Sequence, residues 1–288
     1  MNTLTTATVH ALVALGMLAV VPLGLRLVPD EPALRRLRLP WLLGAVAGAT
    51  SLWLPAGPGA AALAGGYALA AAALALLAAR RLLRRTRRPG PSAAELALAT
   101  AWTCPLVAAI ALVPERAGTP FLGFGTAILA LTVAHFHYAG FAAALVAALA
   151  AGLHPTDAAT PPRPATRLAA LSVPGGTLTV LAGYFVSEFV ELLGALWLTA
   201  GMWLVAWHTW RHQAPAAPRP LTRAMLAVSA ISLLVTMPLA LWWAVGEAYA
   251  LPRPGLGWMV ATHGVGNALG FALCAVLAHT RLTRRPTP

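Results

Sequence analysis

Residues 121–153 read FLGFGTAILALTVAHFHYAGFAAALVAALAAGL, a run without formal charge, longer than a bilayer core requires, with two histidines near its middle. A stretch of that length and apolarity predicts a membrane-spanning helix. Protonatable side chains are costly at that depth, which makes His135 and His137 the first candidates for function.

The rest of the chain follows the same pattern, with 59% apolar against 10% charged residues, far from the balance of a soluble domain. Apolar segments lie at about 7–28, 40–55, 60–79, 94–113, 121–150, 168–187, 190–208, 221–245 and 257–279. The expected fold is therefore an all-α polytopic transmembrane bundle of about nine spans, forming a single domain over residues 1–288. The segment 40–55 is short and ends at Pro55-Ala56-Gly57-Pro58-Gly59, a strong helix breaker. The first segment lacks a basic leader and a small-residue cleavage site, so it reads as a retained helix.

No glycine or proline marks a turn near 187–190, yet one helix over 168–210 would be about 63 Å long, twice the hydrocarbon thickness. Arginine placement decides for a split. With nine spans and the N-terminus outside, Arg26, Arg35, Arg36, Arg38, the cluster at 80–88, Arg163, Arg167, Arg211, Arg219, Arg223, Arg281, Arg284 and Arg285 all lie inside, as does the C-terminus. Only Arg116 and Arg253 lie outside. The cluster at 80–88 sits at a span's inner end, where it anchors topology on acidic headgroups; a nucleic-acid partner is not expected. Every basic residue is arginine, a bias of GC-rich genomes that points to the inner membrane of a bacterium. Cys104 and Cys274 both fall in apolar segments and read as small hydrophobes.

The histidines separate by depth. His154, His208, His212 and His279 lie at inner span ends beside arginine and read as snorkelling groups. His10 and His263 lie in the outer third of the first and ninth spans, and His135 and His137 near mid-membrane in the fifth. Residues two apart on a helix point about 200° from one another, so one metal ion cannot easily take both His135 and His137. They suit two cofactors flanking the helix, one ligand and one interhelical hydrogen bond, or two structural hydrogen bonds. Glu188 and Glu191, three apart at the junction of the sixth and seventh spans, share a helix face and are placed to share a proton or hold a cation, unless an outer loop solvates them. His263 and Asn267 face the same way among Gly264, Gly266, Ala268 and Gly270, either as a ligand steadied by an amide or as polar glue in a packing seam.

The string His135-Phe136-His137-Tyr138 resembles the His-x-His segment of the haem-copper oxidase catalytic subunit, which implies two haems on opposite sides of one helix. Those oxidases need three further histidines and another axial ligand, and only His10 and His263 remain in the outer half, so a complete oxygen-reducing centre is not expected. A wider resemblance, covering most of the chain, is to the YndJ-like family of bacterial multipass membrane proteins. Its His-Phe-His-[Tyr/Phe]-Ala-Gly-Phe string is met at residues 135–141. Its Thr-His-Gly-x-x-Asn-Ala-Leu-Gly-Phe string is met at 262–271.

Two function classes follow. In the first, the outer half binds haem or a transition-metal ion for electron transfer or sensing, with His135 or His137 as one ligand and His10 or His263 as another. Covalent c-type attachment is excluded, because no Cys-x-x-Cys-His is present. In the second, the same histidines with Glu188, Glu191 and Asn267 form a path for a proton-coupled transporter of a small solute or ion. Breaks near Pro55, Pro105 or Pro174-Gly175-Gly176 would then supply discontinuous helices. Two histidines four apart on one helix, the common intramembrane metal pair, are read as missing, the spacings being His135 to His137 and His263 to Asn267. That places a metal-dependent lipid enzyme below the other two readings.

Overall fold

The computed structural model describes residues 1–28, 31–85, 90–153 and 163–283. His154, Arg87, Arg88, Arg284 and Arg285 lie outside them. Among the described residues the chain forms nine long helices and no strands: α1 Thr3–Leu25, α2 Pro32–Ser51, α3 Pro58–Arg85, α4 Ala93–Ala117, α5 Thr126–Ala150, α6 Pro164–Val186, α7 Glu188–Ala216, α8 Pro220–Ala248 and α9 Leu256–Thr283. Eight are long and apolar enough to cross a membrane. The exception, α2, begins earlier than the apolar segment at 40–55, because Pro32 is a good first helical residue and Arg35, Arg36 and Arg38 join the helix. The breaker at Pro55 to Gly59 lies in the bend before α3 and its first residues.

Two compact units divide the chain, one over 1–90 and 99–142, the other over 91–98 and 143–288. In the first, α2 and α3 form an antiparallel hairpin packed through glycine. A Cβ on Gly44 would stand 2.9 Å from the Gly66 carbonyl oxygen, and one on Gly48 would stand 2.8 Å from the Tyr67 Cβ. Tyr67, Trp102, Phe141 and Met17 are the large, fully buried side chains around which this unit packs.

In the second unit, α6 and α7 turn at one residue. Ser187 is extended (φ −175°, ψ 160°) and its side chain accepts from the Val190 N–H, so a serine N-cap does what glycine or proline would otherwise do. Glu188 and Glu191 fall in the first turn of α7, where carboxylates complement the helix dipole. The close contacts run in antiparallel register, Gly183 on Glu191, Gly194 on Val180, Gly176 on Leu198 and Gly201 on Ser172. The split near 187 is thus present. A second hairpin, α8 with α9, brings Gly266 against Thr236 and Gly270 against Ser232. At the start of α4, Ser92 and Glu95 cap each other's backbone N–H groups.

Of the three proline sites only Pro55 lies between helices, for Pro105 lies inside α4 and Pro174 inside α6. The irregularities are π-helical turns instead, at Gly16–Val20 in α1, Phe136–Ala142 in α5, Thr209–Gln213 in α7, and Val260–Gly264 and Gly266–Leu273 in α9. Such turns often accompany functional sites.

Candidate functional site

In the first unit, the π turn of α5 carries His137 into the interior at zero exposure. Its Nδ1 lies 2.7 Å from the Val133 carbonyl, which can only accept, so Nδ1 carries the proton. Nε2 is then the acceptor for the Tyr67 hydroxyl of α3, also 2.7 Å away, with the two rings nearly parallel. Gly16 makes room: a Cβ there would stand 2.8 Å from the His137 Cγ. Beside it, the π register of α1 pairs the Val21 N–H with Gly16, which assigns the Met17 carbonyl to Pro22, a residue without an N–H. The Trp41 indole of α2 donates to that carbonyl at 3.2 Å, and its ring meets Tyr67 edge-on. Tyr138 donates to the Leu12 carbonyl at 2.6 Å. Helices α1, α2, α3 and α5 therefore converge on the one neutral imidazole.

His135 points the other way, as the two-residue spacing requires. It is exposed, with Nδ1–H donating to the Leu131 carbonyl at 2.9 Å, which leaves Nε2 facing outward.

His10 is buried, with Nε2 3.9 Å from the Glu115 carboxylate and the Trp53 ring edge-on at 6.1 Å. Glu115 is also gripped by Arg116, and both are buried. Arg116 reaches the Ser51, Leu52 and Leu54 carbonyls at 3.2, 3.5 and 3.4 Å, satisfying acceptors that the end of α2 leaves over. The ion pair thus ties α4 to α2, with the histidine of α1 against its carboxylate.

In the second unit, Glu191 lies within electrostatic reach of Glu188 and of Glu247 on α8. Glu247 accepts from the Trp243 indole at 2.8 Å and pairs with Arg253 at 2.9 Å, whose guanidinium lies over the Trp243 ring. His263 donates from Nδ1 to the Thr236 carbonyl at 2.9 Å, and Asn267 donates to the His263 carbonyl at 3.0 Å while its Oδ1 lies 2.9 Å from the Thr236 hydroxyl. His263 and Asn267 do share a face, turned to α8.

Among the described residues no group of three or more His, Cys, Asp or Glu side chains converges as a metal site. Two histidines four apart are nonetheless present, against the expectation above: His208 and His212, with ring centres 5.4 Å apart across the π turn of α7. Sequence reading also passed over Tyr67, Glu115, Arg116 and Glu247. A signal for three of them existed, since the two arginines assigned to the outer face, Arg116 and Arg253, each have a glutamate within reach in sequence.

The model of the YndJ-like proteins matches residues 11–271. The chain belongs to the YndJ-like family. Both YndJ-like strings lie inside the matched span, and each falls largely on π-helical backbone. His10 sits one residue before it. No curated protein and no solved structure matches the chain. The resemblance to the haem-copper oxidase subunit is not borne out, and His137, with both ring nitrogens bonded within the protein, has none left to offer an iron. What is established is a multi-pass, helical YndJ-like membrane protein.

Proposed function

We propose that this YndJ-like protein is a proton-coupled transporter of a small solute or ion in a bacterial inner membrane, working through the polar groups of its outer half. The observation that carries the reading is the His137 site, a neutral imidazole at zero exposure held between the Tyr67 hydroxyl and the Val133 carbonyl. A proton reaching Nε2 reverses the Tyr67 hydrogen bond, because the imidazolium then donates from both nitrogens and the hydroxyl must turn to accept. Outward of it, His10 and Glu115 face one another across 3.9 Å. Histidine and carboxylate groups titrate where proton coupling needs them. In the second unit, Glu188, Glu191, His263 and Asn267 are the corresponding groups for the accompanying solute or ion.

The test is proton uptake by proteoliposomes under an imposed potassium diffusion potential, followed with an entrapped pH-sensitive dye. Uptake above protein-free vesicles that falls at least tenfold in His137→Phe supports the proposal. Uptake equal in the two proteins defeats it.

A second reading rests on His135 alone. Its Nδ1–H is anchored on a carbonyl and its Nε2 faces outward, the orientation that readies an imidazole for haem iron or a transition-metal ion. A Soret band in the purified protein that disappears in His135→Ala would establish it, and a colourless, metal-free protein from haem-replete cells would remove it.

A further inference from the structure

The end of the first unit where α1 begins holds a second buried imidazole. His10 is 7% exposed, and its Nε2 makes no direct hydrogen bond among the described residues. It faces the Glu115 carboxylate across 3.9 Å, too far for a direct bond. One water or hydronium spans such a gap, because two groups that share a water stand about 4–5 Å apart. The charged groups against His10 are Glu115 and, behind it, Arg116. Gly16, the residue against the His137 ring, lies about 9 Å further along α1. His10 therefore stands between the start of α1 and the His137 site.

Trp53 lies over this imidazole. Its ring meets His10 edge-on at 6.1 Å, while the side chain as a whole is 60% exposed. The turn that carries it is pinned by the residue that grips Glu115. Arg116 donates to the carbonyls on both sides of Trp53, that of Leu52 at 3.5 Å and that of Leu54 at 3.4 Å. Its own carbonyl accepts from the Gly57 N–H at 2.8 Å, which fixes the far end of the same turn. The backbone under Trp53 is thus held in place, yet its ring is packed on one side only. A change of rotamer swings such a ring aside without moving a helix.

We infer that His10 and Glu115 form the port by which protons enter the first unit, with the Trp53 ring as its shutter. The inference deepens the transport reading and rests on it. With the ring over His10, bulk water is kept from Nε2. With the ring aside, hydronium reaches Nε2, and the imidazolium that forms is stabilised by the Glu115 carboxylate it faces. Arg116 is a positioning residue, because it holds both the carboxylate and the turn.

The experiment uses the full chain in lipid nanodiscs, treated with diethyl pyrocarbonate, which modifies neutral imidazole nitrogens that the reagent reaches. Peptide mass spectrometry follows each histidine separately. In Trp53→Ala, His10 should be modified about tenfold faster than in the wild type. His137, deeper in the unit, should keep its slow rate, and Trp53→Phe, which retains a ring, should restore most of the protection of His10. Trp53→Gln takes the place of Trp53→Ala should the latter speed His137 as well. Proton uptake into proteoliposomes should rise in the variant that exposes His10. Uptake in the wild type together with unchanged labelling of His10 overturns the port and leaves Trp53 as an interfacial anchor. Faster labelling of His10 with no uptake in any protein overturns the transport reading, and the port with it.

Discussion

Replacing Tyr67 by phenylalanine removes one oxygen from a fully buried site. Tyr67 and His137 both have zero exposure, and a 2.7 Å hydrogen bond joins the hydroxyl to Nε2. A typical hydrogen bond contributes about 0.5–1.5 kcal/mol net, but a buried acceptor left without a donor costs about 1–3 kcal/mol. Tyr67→Phe is therefore expected to cost about 2 kcal/mol, about thirtyfold in the unfolding constant. The reciprocal change His137→Phe strands the hydroxyl and should cost a similar amount. The double variant leaves neither partner stranded, so its cost should fall below the sum of the two by about 1–2 kcal/mol. The assay is reversible unfolding in mixed detergent micelles, run as a double-mutant cycle. Additive costs, or a single Tyr67→Phe cost below about 0.5 kcal/mol, would refute the idea that the two side chains satisfy each other.

Four further outcomes are expected. Gly16→Ala pushes a methyl to 2.8 Å from the His137 ring and should cost about 1–3 kcal/mol in the same assay, whereas Gly65→Ala, with nothing within 4 Å, should be neutral or stabilise by up to about 1 kcal/mol. Arg116→Gln removes the hold on three carbonyls and strands the buried Glu115, so a loss of about 3–5 kcal/mol is expected, with Glu115→Gln milder because arginine keeps the carbonyls. Gly183→Leu and Gly194→Leu press on the backbone of the partner helix and should each lower the thermal midpoint of the α6 and α7 hairpin, while Gly59→Ala, which meets nothing, should not. Asn2→Cys should react with a membrane-impermeant maleimide in intact cells once the native Cys104 and Cys274 are replaced by alanine, because the arginine distribution predicts an outside N-terminus; labelling only after lysis would reverse the orientation.

The helix inventory was legible in the sequence because hydrocarbon sets a minimum length and tolerates no unpaired backbone. Arginine distribution placed the turn near 187 without any breaker, and Ser187 supplies the cap that makes a one-residue turn workable. The start of α2 was hidden by its arginines, which an apolar window excludes although the helix includes them. The π turns were hidden for a different reason, since an i to i+5 register has no compositional sign. Their consequence at Met17, a carbonyl assigned to the nitrogen of Pro22, appears only once the register is known. The opposed directions of His135 and His137 followed from helix geometry alone. The partner of His137 did not, for Tyr67 is seventy residues away and nothing local to either residue announces the other. His208 and His212 were visible as a four-residue spacing but were set aside as snorkelling groups.

The most direct test of the account is proton flux in proteoliposomes, compared across wild type, His137→Phe, Glu115→Gln and His135→Ala. The account predicts flux in the wild type, loss of at least tenfold in the first two variants, and near-normal flux in His135→Ala, whose side chain lies off the buried network. Flux lost only in His135→Ala, or no flux above protein-free vesicles in any of them, would contradict it.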